Sequence, residues 1–272
     1  MPDAGFLFSV AKRSIPSSGF PPLPFDIETA GVIAIAFFLG SLVKGVAGIG
    51  PPLVAIPILT LAMDVRDATP MIVAPAAAAN IYQIVDTWRA RMPFGRLLPI
   101  MAGLIAGIYA GALIAVTADP TIMLGVMGGV ILGFVMFSFS GVTPRIPEKR
   151  RGLMGFAAGG ITALIGGMTG VFGPVLAIYT LSLNLGKDGF VYAMGVLLLL
   201  ASFSLGVAYA SLDALAGWVI WASIFAVVPA SVGMYAGSKL RRVISPVVFR
   251  NVILSILAII ASKHLATAFG IG

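Results

Sequence analysis

The sequence predicts an all-α integral membrane protein made of two inverted repeats of five apolar segments, each repeat opening with a broken or re-entrant hairpin. Three observations predict it. The 272-residue chain is 59% hydrophobic and 10% charged, with a mean hydropathy of +1.07, whereas soluble globular domains run about 45–50% apolar and about 25% charged. Apolar stretches of bilayer-spanning length recur from Ile27 to the C-terminus. A Gly/Pro-broken stretch near the start of the chain also returns 122 positions later. Duplicated, interrupted apolar segments mark secondary transporters, whose site lies where the breaks meet.

The elements follow in order. Residues 1–26 hold Lys12 and Arg13 but are Pro/Ser-rich, without the apolar core or cleavage site of a signal peptide, and read as a disordered or surface-lying lead-in. The first repeat, 27–141, contains segments 27–44, 51–63, 68–86, 97–117 and 121–141. A polar linker, 142–152, follows. The second repeat, 153–266, contains 153–166, 173–184, 190–211, 214–237 and 246–266, and a short tail ends the chain at 267–272. Segments 51–63 and 173–184 are too short to cross about 30 Å of hydrocarbon at 1.5 Å per residue. Each follows a glycine-rich break and is expected to fold back on the segment before it, where protein or a water-filled cavity satisfies the irregular backbone.

Charge orients the scheme. With each hairpin counted as in-and-out and the N-terminus outside, 12 of the 17 Lys and Arg residues face the cytoplasm, in the loops after 86, 141, 184 and 237. Lys12, Arg13, Arg66 and Lys263 fall outside and Lys44 within the membrane, which satisfies the positive-inside rule. Eight simple spans would put the basic loop after segment 214–237, holding Lys239, Arg241 and Arg242, opposite the other basic loops. Five segments per half make the halves inverted, and equivalent loops change charge character accordingly: Asp119 corresponds to Arg241, and Arg91 to Asp213.

The breaks carry the chemistry. The first copy reads Gly45-Val-Ala-Gly48-Ile49-Gly50-Pro51-Pro52 and the second Gly167-Met-Thr169-Gly170-Val171-Phe172-Gly173-Pro174. Gly48, Gly50, Gly170 and Gly173 permit positive φ and close backbone approach, and Pro51, Pro52 and Pro174 suit the first turn of a helix. Helices starting there would aim free N–H groups at the break, a ready anion site. Lys44, the one basic residue deep in an apolar segment, stands just before the first break and has Gly166 as its counterpart. It is either an anion contact or a lysine that snorkels to the interface. Asn80 and Gln83 share a helix face, and Ser202 stands at the Asn80 position of the second repeat. These either line the site or join helices by hydrogen bonds. Thr169 and Tyr179 flank the second break, with the same two readings. Gly103, Gly107 and Gly111 form a small-residue ladder for helix packing. Asp86 and Glu28 read as interfacial charges.

No catalytic constellation or P-loop is visible, and the absence of cysteine removes thiolate chemistry. His264 has no neighbouring ligands in sequence. The basic residues, spread over short connections despite a net charge of +7, do not form a nucleic-acid surface. No cofactor or metal is implied. The expected partners are a small anion and the lipid bilayer; self-association is compatible with the sequence and not specified by it.

The duplicated hairpins, with Pro57-Ile58-Leu59 closing the first, resemble those of the sulfite exporter TauE/SafE family of bacterial membrane permeases, over about residues 30–266. Pro51 and Pro52 stand where that family usually has glycines. The resemblance implies transport of sulfite, sulfoacetate or related organosulfur anions across the bacterial cytoplasmic membrane. A gated anion channel, or a permease for a non-sulfur organic anion, would use the same helix termini.

Overall fold

The structure is a computed structural model that describes residues 25–48, 50–142, 145–241, 243 and 246–271, without the side chains of 246–250. Among the described residues it is all-helical. The helices are α1 (Ile27–Ala47), α2 (Pro52–Leu59), α3 (Val65–Ala68), α4 (Val73–Asp86), α5 (Leu98–Thr117), α6 (Pro120–Ser140), α7 (Arg151–Thr169), α8 (Gly173–Ser182), α9 (Gly186–Ser211), α10 (Gly217–Leu240) and α11 (Pro246–Ala268). Eight helical stretches among these residues are long and apolar enough to cross a membrane. The short α2 and α8, of 8 and 10 residues, reach only about 12–15 Å at 1.5 Å per residue.

Local chemistry sets the helix ends. Asp26 starts α1 by accepting from the Thr29 N–H at 2.8 Å, and Asp119 starts α6 by accepting from the Thr121 N–H at 2.8 Å. The 68–86 segment of the sequence reading is divided into α3, a 3₁₀ turn over Pro70–Ile72, and α4; Pro70 has no N–H to continue the α-helical ladder. The segment expected at 190–211 begins earlier, at Gly186, whose φ of +70° turns the chain out of the preceding loop.

The helices pack through glycine. A Cβ on Gly103 would lie 2.1 Å from the Phe156 carbonyl oxygen, and one on Gly111 would lie 2.4 Å from that of Leu164, so α5 and α7 run in parallel at backbone contact. α1 and α10 repeat this arrangement: a Cβ on Gly233 would meet the Phe38 oxygen at 2.3 Å, and one on Gly237 the Leu42 oxygen at 2.2 Å. Without a hydrophobic drive between helices in lipid, such close approach supplies the attraction. α4 lies against α9 in the opposite direction, with Gln83 beside Val191 and Val73 beside Gly206. α6 and α11 are likewise antiparallel, with Gly128 at Ala261 and Gly125 at Ala268.

These directions collect the ends of α1, α4, α6 and α10 and the starts of α5, α7, α9 and α11 at one end of the molecule. Arg241 reaches Asp86 there, at 3.2 Å. Outward faces stay apolar: Met136 is 67%, Val228 68% and Ile259 72% exposed, a surface suited to acyl chains rather than water.

Candidate functional site

Both breaks adopt one geometry. Gly48 ends α1 at φ 77°, ψ 0°, with its N–H on the Lys44 carbonyl; Gly170 ends α7 at φ 72°, ψ −5°, with its N–H on the Gly166 carbonyl. Each bond is 2.7 Å. The left-handed conformation is one glycine adopts without a Cβ clash, so these two glycines are needed where the sequence places them. α2 then folds back on α1, so that a Cβ on Gly40 would meet Ala55 at 3.0 Å. α8 folds back on α7, the Tyr179 hydroxyl donating to the Arg151 carbonyl at 3.1 Å. Each break is closed by the other half: Gly48 abuts Val191, and Gly170 abuts Ile56 and Thr69.

Lys44 is fully buried on α1, one turn before the break. Its Nζ donates to Asn80 Oδ1 at 2.6 Å, and among the described residues it has no carboxylate partner. The Asn80 amide points its Nδ2 at Ser202 Oγ, 3.5 Å away, and the Ser202 hydroxyl donates to the Leu198 carbonyl at 2.8 Å. Asn80 and Ser202 are equivalent positions of the two halves, so this contact lies where α4 crosses α9. Beside it, Gln83 Nε2 donates to the carbonyls of Gly48 (3.2 Å) and Val191 (2.5 Å), tying the first break to α9. Among the described residues, the Gln83 Oε1 and Ser41 Oγ atoms are buried without a hydrogen-bond partner. Ser41 precedes Lys44 by three residues and shares its helix face. A buried ammonium held by one neutral acceptor, with an orphan hydroxyl one turn away, lacks the countercharge such a group requires.

Among the described residues, the second break has no such cation. At Gly166, the Lys44 counterpart, an added Cβ would fall 2.1 Å from the Phe172 ring; Phe172 itself stands at the Gly50 position. The aromatic ring fills the room that a long side chain at 166 would need. Thr169, fully buried, accepts from the Val171 N–H at 3.2 Å and donates to the Ile165 carbonyl at 2.8 Å. Gly173 and Pro174 are buried at the start of α8.

The structure corrects three parts of the sequence reading. Gly45 and Gly167 do not line the breaks. An added Cβ would meet the Met234 oxygen at 2.7 Å in the first case and the Ile108 oxygen at 2.7 Å in the second, so both are contact points of the parallel helix pairs. The start of α2 also offers no free amides in its first turn. Pro51 and Pro52 have no N–H, and those of Leu53 and Val54 already bond the Gly50 and Pro51 carbonyls at 3.2 Å each. Among the described residues, Lys44 is the basic side chain at the first break. Tyr179, read as flanking the second break, instead reaches the start of α7. Ile49 and Arg242 lie outside the described residues.

Lys44, Asn80, Gln83 and Ser202 are thus brought together around the first break, with Gly48, Gly50, Pro51 and Pro52 forming its turn. Ser41 and Val191 were missed. Ser41 was legible from its i, i+3 spacing to Lys44; Val191 sits in an unbroken apolar run that gives no signal.

The family model described as "Sulfite exporter TauE/SafE" matches residues 32–264. No curated protein and no solved structure matches the chain.

Proposed function

The chain belongs to the sulfite exporter TauE/SafE family, and from that premise we propose that it is a secondary transporter of a small sulfur-containing anion, such as sulfite, sulfoacetate or a related organosulfonate. The family and the eight bilayer-length stretches make it a multi-pass membrane protein. The observation that carries the proposal is the fully buried Lys44 ammonium, held by Asn80 and, among the described residues, without a carboxylate. A cation in that position is stabilised when an oxyanion enters, and Asn80, which accepts one N–H, offsets part of the cost of the empty site. Asn80 and Ser202 would orient the anion from either side of the helix crossing, and Gly48 lets backbone approach without a Cβ in the way.

The packing supports alternating access. α1 pairs in parallel with α10, and α7 in parallel with α5, so the first segment of each half rides on the fourth segment of the other. Equivalent helices α1 and α7 run in opposite senses. Two such units can exchange conformations about the α4–α9 crossing, opening the site first to one face and then to the other.

Equilibrium binding to the purified protein tests the site, with sulfite, sulfonates, sulfate and carboxylates as the panel. Lys44→Met should keep the fold and weaken sulfite binding by about 1.5–3 kcal/mol, the range for a charge-assisted hydrogen bond, which is about 10–100-fold in affinity. Equal affinity in the variant and the parent would reduce Lys44 to a structural residue.

A further inference from the structure

A cavity of ≈ 400 Å³ opens at the end of the molecule where Arg241 meets Asp86. Ala47 at the end of α1, Thr180 on α8, Lys187 and Val191 on α9, and Arg241 at the end of α10 line it. The Thr180 hydroxyl is fully buried and has no hydrogen-bond partner among the described residues. Arg241 uses one terminal nitrogen on Asp86 at 3.2 Å, and its guanidinium fork carries further donors. Lys187 is exposed at the first turn of α9, with Asp188 beside it in sequence. Val191, whose carbonyl is held by Gln83, is part of the wall, and Gln83 stands one helical turn from Asn80 on α4. Val191 thus joins the cavity wall, through Gln83, to the helix that carries Asn80.

The equivalent positions at the opposite end have other chemistry. Val65 stands for Lys187, Ile58 for Thr180, Thr69 for Val191 and Asp119 for Arg241. Val65 and Thr69 are closed in the core. Asp119 accepts from both the Thr121 hydroxyl and its N–H, which together with the nearby Arg66 holds the carboxyl below its usual range and hence ionised. The opposite end thus presents an anionic group where this one presents a guanidinium.

We infer that this cavity is a second anion site: Arg241, Lys187 and Thr180 capture a small oxyanion at the basic end of the molecule before it reaches Lys44. The inference rests on the reading of Lys44 as the central anion contact, and it supplies the step that brings substrate to it. Two cations provide attraction at the cavity, and the Thr180 hydroxyl, without a partner among the described residues, is a donor left over in its wall. Because Arg241 is already paired with Asp86, the site is only partly neutralised. It should hold an anion more weakly than the central site, as a point of passage requires.

Calorimetric titration of the full-length protein with sulfite separates the two sites. Thr180→Val removes an unpartnered hydroxyl at nearly constant volume, and Lys187→Gln removes an exposed charge, so both variants are expected to fold. In the Lys44→Met background a weak site should remain beside the weakened central one, and adding Thr180→Val with Lys187→Gln should weaken that site at least tenfold. In the wild-type background the same pair should leave the tighter site in place. If Lys44→Met shows no residual sulfite site, or if the Thr180/Lys187 pair leaves it unchanged, the capture site is refuted. If Lys44→Met binds like wild type while the Thr180/Lys187 pair abolishes a site, the capture site stands and the central assignment to Lys44 falls.

Discussion

At the scale of the residue, one interaction organises the site. Lys44 is buried at a cost of several kcal/mol in hydration, and Asn80 Oδ1, 2.6 Å away, offsets only part of it. An asparagine can hold the ammonium without cancelling its charge, which leaves the cation available to an anion. This assigns a specific consequence to Asn80→Asp. A carboxylate in the same place would form a buried ion pair with Lys44, and the protein should fold at least as well as its parent while losing sulfite affinity by about 10–100-fold, the equivalent of a charged hydrogen bond. Thermal stability and sulfite binding measured on the same sample check it. Unchanged binding would mean that the anion does not meet Lys44. The residue scale was partly legible in sequence. A lysine inside an apolar segment and an asparagine two segments later are visible as polar anomalies, but their contact depends on how α1 lies across α4, which no local pattern encodes. The absence of free amides at Pro51 and Pro52 could have been read from the two prolines themselves.

At the scale of the element, glycines divide into those that turn the chain and those that bring helices together. Gly48 and Gly170 turn it, with φ of 77° and 72°. Gly103, Gly111, Gly233 and Gly237 put helix backbones in contact, and Gly129 and Gly133 do neither, having none of the described residues within 4 Å of an added Cβ. The small-residue ladder at 103, 107 and 111 was readable as a packing face because its spacing repeats every four residues. Gly45 and Gly167 misled because they sit next to the breaks, and sequence adjacency cannot tell a turn from a packing contact one helical turn away. A paired substitution tests the division. Gly103→Ala should destabilise the protein by about 1–3 kcal/mol through overpacking against the Phe156 carbonyl, and Gly129→Ala should be neutral or stabilising by up to about 1 kcal/mol from helix propensity. Thermal unfolding in detergent measures both, and equal effects would contradict the parallel α5–α7 contact.

At the scale of the whole molecule, composition and segment lengths gave the membrane class, the helical fold and the two short arms, because bilayer thickness and the 1.5 Å rise bound what each segment can do. The exchange of partners between halves, α1 on α10 and α7 on α5, was not readable, since both halves are uniformly apolar and every helix could have packed on its neighbour in sequence. That exchange interleaves the two halves, and the proposed site would draw on both, since Lys44 on α1 meets Asn80 on α4 beside Ser202 on α9. The most direct measurement is sulfite counterflow in proteoliposomes, comparing wild type with Lys44→Met. Preloaded unlabelled sulfite should accelerate entry of labelled sulfite several-fold through the wild type, as a carrier that reorients around one site requires, and Lys44→Met should show no acceleration at equal protein incorporation. Labelled sulfite entering without any stimulation by preloading would indicate a channel, and full counterflow through Lys44→Met would contradict the claim that this buried cation holds the transported anion.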